Sequence, residues 1–263
     1  MDSLKTIPES GISRRRFLKL TRSGVLGISV ASPLLQGCTQ KHTKRLVDLS
    51  HTVEDGMITY KGLPAPVISD FLSRDASKEH YAEGTTFQIG KIEMVANTGT
   101  YMDAPFHRYA DGKDLSELAL ESLAALEGLV FRADPGQRAI GPTLFSETNV
   151  SGKAVLVHTG WAKHWGTQQY FEGHPFLTAD AAEWLKTSGV ALVGIDSLNI
   201  DDTADKRRPA HSLLLDADIP IVEHMRGFEN LPDSGFEFHA VPVKVRDFGT
   251  FPVRAYAVMG IRD

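Results

Sequence analysis

Two apolar runs with a helical segment between them constrain this chain more than any other feature of it. KAVLVHTGW (153–161) and VALVGID (190–196) are short and almost uniformly apolar. Runs of that length and content suit strands buried on both faces, as in a parallel sheet covered by helices. LTADAAEWLKTSG (177–189) supplies the connection. Thr178 stands where a helix cap is needed, Asp180 falls in the first turn and Gly189 follows the last. Strand, helix and strand in that order predict a βαβ unit. AHSLLLDADIPIVEHM (210–225) repeats the idea with a shorter helix and the strand IPIVE. RLVDLSH (45–51), TTFQIGKIEMV (85–95) and FHAVPVKVRD (238–247) have the alternating or β-branched content of further strands. The expectation is a strand-rich α/β protein. Ligands in such folds sit at the carboxyl ends of the strands, which here directs attention to Asp196 and Glu223.

The N-terminus predicts no part of that fold. SRRRFLK (13–19) sets paired arginines ahead of the weakly apolar run LTRSGVLGISVASPLLQG, the pattern of a removable export signal of the twin-arginine (Tat) type. LQGC then ends at Cys38 and resembles the lipobox of bacterial lipoproteins, in which that cysteine is lipidated. The chain has one Cys, so it can form no internal disulfide. The expected organisation is a Tat-type lipoprotein signal over 1–37, a polar tether over 38–45 and one domain over 46–263. The product would be an exported protein anchored to a membrane through Cys38. Removing residues 1–37 takes six Lys/Arg and two Asp/Glu from totals of 28 and 33, leaving 22 basic and 31 acidic residues, a formal charge of −9. That balance excludes a nucleic-acid partner, which requires a basic stripe. It also leaves the acyl group as the only membrane contact.

Chemistry concentrates in VANTGTYMDAPFH (95–107), where Asn, Thr, Tyr, Asp and His surround Gly99 and Pro105. With no second cysteine, a divalent cation would need oxygen and imidazole donors from several segments. Asp103 and His107 in this stretch, His211 after the loop DDTADKRRPA and Glu223 are the candidates. By spacing alone, Asp103 and His107 read equally as a local hydrogen-bonded pair.

The stretch resembles the signature of the cyclase family of metal-dependent hydrolases, His-x-Gly-Thr-His-x-Asp-x-Pro-x-His. That family includes bacterial kynurenine formamidase (arylformamidase) and isatin hydrolase. Here the signature stands as Asn97-Thr98-Gly99-Thr100-Tyr101-Met102-Asp103-Ala104-Pro105-Phe106-His107. The similarity continues through LVHTGW, AAEWL, GVALVGIDS, Ala210-His211 and IPIVE to PVRAYAV, from about residue 46 onward. It implies a swivelling β/β/α fold and a homo-oligomer, dimer or tetramer. In the formamidases the two signature histidines and the Asp hold one metal. The Asp bridges to a second metal whose other ligands match His211 and Glu223, and the last histidine, here His107, is the general base and acid.

Asn97 and Tyr101 replace two of those histidines. A carboxamide is a neutral donor, and a phenol ligates well only as phenolate, far from its ordinary pKa of ~10. The resemblance therefore implies one divalent cation per chain, zinc with manganese as the alternative, on Asp103, His211 and Glu223. A cation held by three protein ligands would polarise an amide carbonyl and make a water acidic, with His107 moving the proton. Tyr101 would offer a hydrogen bond to the developing oxyanion. Asn97 would face the substrate. GMITYKGLP (56–64) matches a family segment that sets an aromatic residue against the substrate ring, which assigns Tyr60 either to substrate or to packing on a strand edge. The implied activity is arylformamidase-like hydrolysis of a small, aromatic N-acyl or lactam substrate. N-formylkynurenine is the family's best-known substrate, but its place in cytosolic tryptophan catabolism fits an exported protein poorly. The second reading is an exported small-ligand-binding protein, or an enzyme of this fold that has lost its metal.

Overall fold

The computed structural model describes residues 44–260. The twin-arginine leader and Cys38 lie outside the described residues. Strand β1 (Lys44–Asp48) opens within the stretch read as a tether. β2 (Val67–Leu72), β3 (Ile89–Glu93), β4 (Tyr101–Asp103) and β5 (Leu126–Arg132) follow, with the single-turn helix α1 (Arg74–Ser77) between β2 and β3. The centre of the chain holds β6 (Ala139–Ile140), β7 (Ala154–His158), β8 (Phe176–Leu177), helix α2 (Ala179–Thr187) and β9 (Leu192–Ile195). Helix α3 (Pro209–Asp216), β10 (Ile221–Glu223), β11 (Phe236–His239), β12 (Thr250–Pro252) and β13 (Tyr256–Gly260) complete it.

Nine of these strands form one sheet in the order β1-β13-β11-β5-β7-β9-β10-β4-β12. Its centre, β5-β7-β9-β10, is parallel, as the apolar runs predict, and every other pairing in it is antiparallel. The Thr178 hydroxyl accepts the Ala181 N–H at 3.2 Å and caps α2, and Gly189 takes the left-handed conformation (φ 70°) that ends it. β2 and β3 pair apart from the main sheet as an antiparallel ribbon, and β6 and β8 form a second small pair.

Alternation along the strands divides the core in two. Leu156, Leu192, Val222 and Met102 pack into one apolar cluster. Val155, Val193, Ile195 and Ile221 join Ala181, Leu185, Ala210 and Leu214 of α2 and α3 in the other. Each fully buried Leu, Ile or Val contributes roughly 1.5–3 kcal/mol relative to exposure.

One expected strand ends early. FHAVPVKVRD is extended only to His239 and continues as loop. Pro242 has no N–H to give a ladder, and Val241 and Val243 are exposed rather than alternating into a core. Among the described residues, no helix is long and apolar enough to cross a membrane.

Candidate metal centre

The site lies on one face of three adjacent strands, β10, β4 and β12. The register sets Glu223 opposite Tyr101, and both Ile221 and Thr250 opposite Asp103. Because side chains alternate along a strand, Tyr101 and Asp103 share a face while Met102 turns to the core. Gly99, at φ 67°, turns the chain into β4, and a Cβ there would lie 2.9 Å from the Val53 methyl.

Asp103 is fully buried. Its Oδ1 accepts the Thr250 hydroxyl, whose oxygen also meets Nδ1 of His107 at 2.8 Å. Its Oδ2 is buried without a hydrogen-bond partner among the described residues and lies 3.6 Å from Nε2 of His211. His107 comes from the 3-10 turn Pro105–His107, and its side chain is 36% exposed, so its ring reaches the pocket. The backbone of Gly249 packs so closely on His107 that any side chain there would collide with it.

His211 sits in the first turn of α3, held from the loop after β9. Oδ1 of Asp201 accepts the Ala210 N–H (2.6 Å), and Oδ2 accepts the His211 N–H (3.0 Å) and Nδ1 (2.7 Å). With Nδ1 donating to Asp201, Nε2 faces Asp103 and Glu223, each 3.6 Å away. Burial would lower the pKa of His211, but the carboxylates of Glu223, Asp103 and Asp201 push it up to about 10. Burial raises Glu223 to about 7.

Glu223 is well supplied with donors. Its Oε1 accepts the Ile200 N–H at 2.6 Å, and its Oε2 accepts the Tyr101 hydroxyl at 2.6 Å and the Asn199 amide at 3.3 Å. Burial, then the Glu223 charge, raises the Tyr101 phenol well above its usual range. Tyr101 is thus a neutral donor, and its hydroxyl is directed at Glu223. The described residues whose ligand atoms all lie within 4.8 Å of one another are Asp103, His107 and His211. Glu223 adjoins that group through His211.

The cluster opens into a cavity of about 270 Å³, lined also by Tyr60, Leu63, Asn97, Asn199, Arg108 and Arg208. The Tyr60 hydroxyl donates to the Leu198 carbonyl and accepts the Asn199 amide, both at 2.7 Å. Tyr60, Asn97, Tyr101, His107, His211 and Glu223, all read from the sequence, line this one pocket, and Asp103 lies just behind its wall, 3.7 Å from His107 and 3.6 Å from His211. Asp196 is not among them. Its carboxylate accepts the Thr159 N–H and hydroxyl and the Gly160 N–H, fastening the loop after β7. Sequence reasoning passed over Asp201, Asn199, Thr250 and the two arginines. Asp201 opens the loop DDTADKRRPA, where the only available signal was an acidic residue ahead of a proline-started helix.

An unpaired buried carboxylate oxygen facing an oriented imidazole, with a second buried carboxylate beside it, is an oxygen–nitrogen donor set for a cation. Fold and site together define an α/β protein with a candidate metal centre at the edge of a mixed nine-stranded sheet. Residues 47–202 match the Cyclase family, and the chain belongs to that family. It is 28% identical to a kynurenine formamidase of Bacillus anthracis over 214 residues, 81% of this chain and 97% of that one. The kynurenine formamidase of Bacillus cytotoxicus is 31% identical over 168 residues, 64% of this chain and 78% of the relative. Isatin hydrolase A from Labrenzia aggregata shares the fold with a TM-score of 0.70 at 20% identity, over 83% of this chain and 94% of that one.

Proposed function

We propose that this protein hydrolyses the C–N bond of a small, aromatic amide, as arylformamidases do, with one divalent cation held by Asp103, His211 and Glu223. One observation carries the reading: Nε2 of His211 stands 3.6 Å from Oδ2 of Asp103 and 3.6 Å from Oε1 of Glu223. Ligands of a tetrahedral cation at roughly 2.0–2.1 Å lie about 3.4 Å apart, so both pairs are near ligand spacing. The unpartnered Oδ2 and the excess of buried carboxylate over buried positive charge support the same conclusion. The cation would supply a Lewis acid for the carbonyl and bring the pKa of a water to ~7.

The chain's own groups do the rest. Asp201 fixes the His211 tautomer. Thr250 gives its proton to Asp103 and accepts from Nδ1 of His107, which leaves Nε2 of His107 to take a proton from water and return it to the leaving amine. Tyr101 and Asn199 hold Glu223. Tyr60 and Leu63 form the apolar wall.

A second ligand arrangement, on Asp103, His107 and His211, is favoured by their mutual spacing within 4.8 Å. The two are separated by His107→Ala. Under the first arrangement this variant keeps about one zinc or manganese per chain and loses formanilide hydrolysis; under the second it loses the metal as well. For the purified domain, metal analysis finding about one ion, and loss of both ion and turnover in His211→Ala, support the hydrolase. No ion and no turnover leave the protein a small-ligand binder. The leader and Cys38 support an exported, lipid-tethered form, checked by acyl labelling in wild type and its loss in Cys38→Ser.

A further inference from the structure

The floor of the pocket is acidic, but its mouth is not. Arg108 and Arg208 both line the cavity, and neither forms an ion pair with a carboxylate among the described residues. Their neighbours behave differently. Arg207 grips Asp205 through Nε at 3.0 Å and NH2 at 2.8 Å, facing solvent. Arg132 pairs with Asp233, and Arg254 with Asp48.

The two pocket arginines are instead held by neutral acceptors. NH1 of Arg208 donates to Oδ1 of Asn199 at 3.2 Å and to the Asp202 carbonyl at 3.5 Å. Nε of Arg108 donates to the Ser212 hydroxyl at 3.2 Å, and its guanidinium lies over the Tyr109 ring at 5.2 Å. Such contacts orient a guanidinium without neutralising it, leaving N–H groups for a planar oxyanion. The backbone of Arg208 points the same way. It sits at φ 52°, ψ 59°, immediately before Pro209. That left-handed state is disfavoured for a residue bearing a side chain, and strain of this kind gathers where a side chain must be aimed. Both arginines are tied to the start of α3, Arg208 by adjoining it and Arg108 through Ser212, whose positive dipole end adds to the field.

We propose that Arg108 and Arg208 form a carboxylate clamp at the mouth of the pocket, so that the preferred substrate is a one-ring amide carrying a carboxylate at the end remote from, or beside, the scissile group. The clamp deepens the function proposed above and rests on it for the reacting amide. The division of charge fixes the orientation. A carboxylate directed at the floor would face Asp103 and Glu223, whereas one at the mouth meets two cations. The cavity, about 270 Å³, is at the small end of ligand pockets, which suits one ring and a short substituent.

The test has a binding arm and a turnover arm, both on metal-loaded protein with matched thermal unfolding. In the first, anthranilate and the neutral anthranilamide are titrated calorimetrically into wild type, R108Q, R208Q and the off-pocket control R207Q. The clamp requires anthranilate to bind at least tenfold more tightly than anthranilamide in wild type and in R207Q. It also requires that preference to fall about tenfold in R208Q and by a smaller, measurable factor in R108Q. An unchanged preference in both variants overturns the clamp, and this includes the case in which the metal alone holds the carboxylate. In the turnover arm, the ratio of kcat/KM for N-formylanthranilate over formanilide falls about tenfold in R208Q through KM. If neither amide is hydrolysed by wild type, the hydrolase reading fails and the binding arm alone decides the clamp.

Discussion

Asp201 never reaches the pocket, yet both of its oxygens are committed to the residues that present His211. Replacing it by Asn keeps the shape but gives one oxygen position an N–H where an acceptor is needed. Outer partners of metal-binding histidines are worth 10–100-fold in affinity. Asp201→Asn is therefore expected to weaken zinc binding by about that factor, as measured by competition with a chromophoric chelator, while the fold survives. Tyr101 acts on stability. Tyr101→Phe removes the 2.6 Å donor from a buried carboxylate and leaves that oxygen under-supplied at a cost of about 1–3 kcal/mol. A lowered Tm in the metal-free protein checks it, and an unchanged Tm would show that Asn199 alone suffices. Asp103 and His107 drew attention because they stand in a dense polar stretch around Gly99 and Pro105, whereas His211 and Glu223, far along the chain, were singled out as ligands by the resemblance to the cyclase family. Neither signal reached Thr250, Asn199 or the arginines. A lone hydroxyl, amide or loop guanidinium looks the same in sequence whether it faces solvent or a pocket.

At the scale of elements, the βαβ unit was the most legible part, because cap, periodicity and apolar runs all agreed. Helix α2 has nine residues, short enough for its cap to matter. Thr178→Ala should cost about 1 kcal/mol, lowering Tm by roughly 2–4 °C in a domain of this size. Differential scanning calorimetry decides it. Less legible were β4, β10 and β12, three residues each, which carry Tyr101, Asp103, Glu223 and Thr250. Strands that short give period-2 patterning too little length to register. The stretch beyond His239 misled in the opposite direction. Its valines alternate as a strand's would, but Val241 and Val243 are exposed and Pro242 interrupts the ladder.

Across the whole molecule, acid sensitivity follows from imidazoles buried away from carboxylates. His51 stacks on Trp165 with ring centroids 3.9 Å apart, and burial, then Arg226, lowers its pKa to about 4. The folded value lies below the unfolded one of ~6.5, so its contribution is complete above that pH and is lost as pH falls toward 4. The loss reaches at most about 2 kcal/mol at pH 5. Urea titrations at pH 7 and pH 5 should show a smaller drop for His51→Gln than for wild type; equal drops would remove His51 as a cause.

The sheet that carries the site also runs between two apolar cores. Met102 and Val222 anchor one core from the far side of the same backbone that presents Tyr101, Asp103 and Glu223 to the pocket. The two sides of this wall cannot be tuned separately. Repacking the interior behind β4, even with residues of good fit, would shift the coordinating groups in front of it, so variants selected for heat resistance there would be expected to trade away ligand geometry.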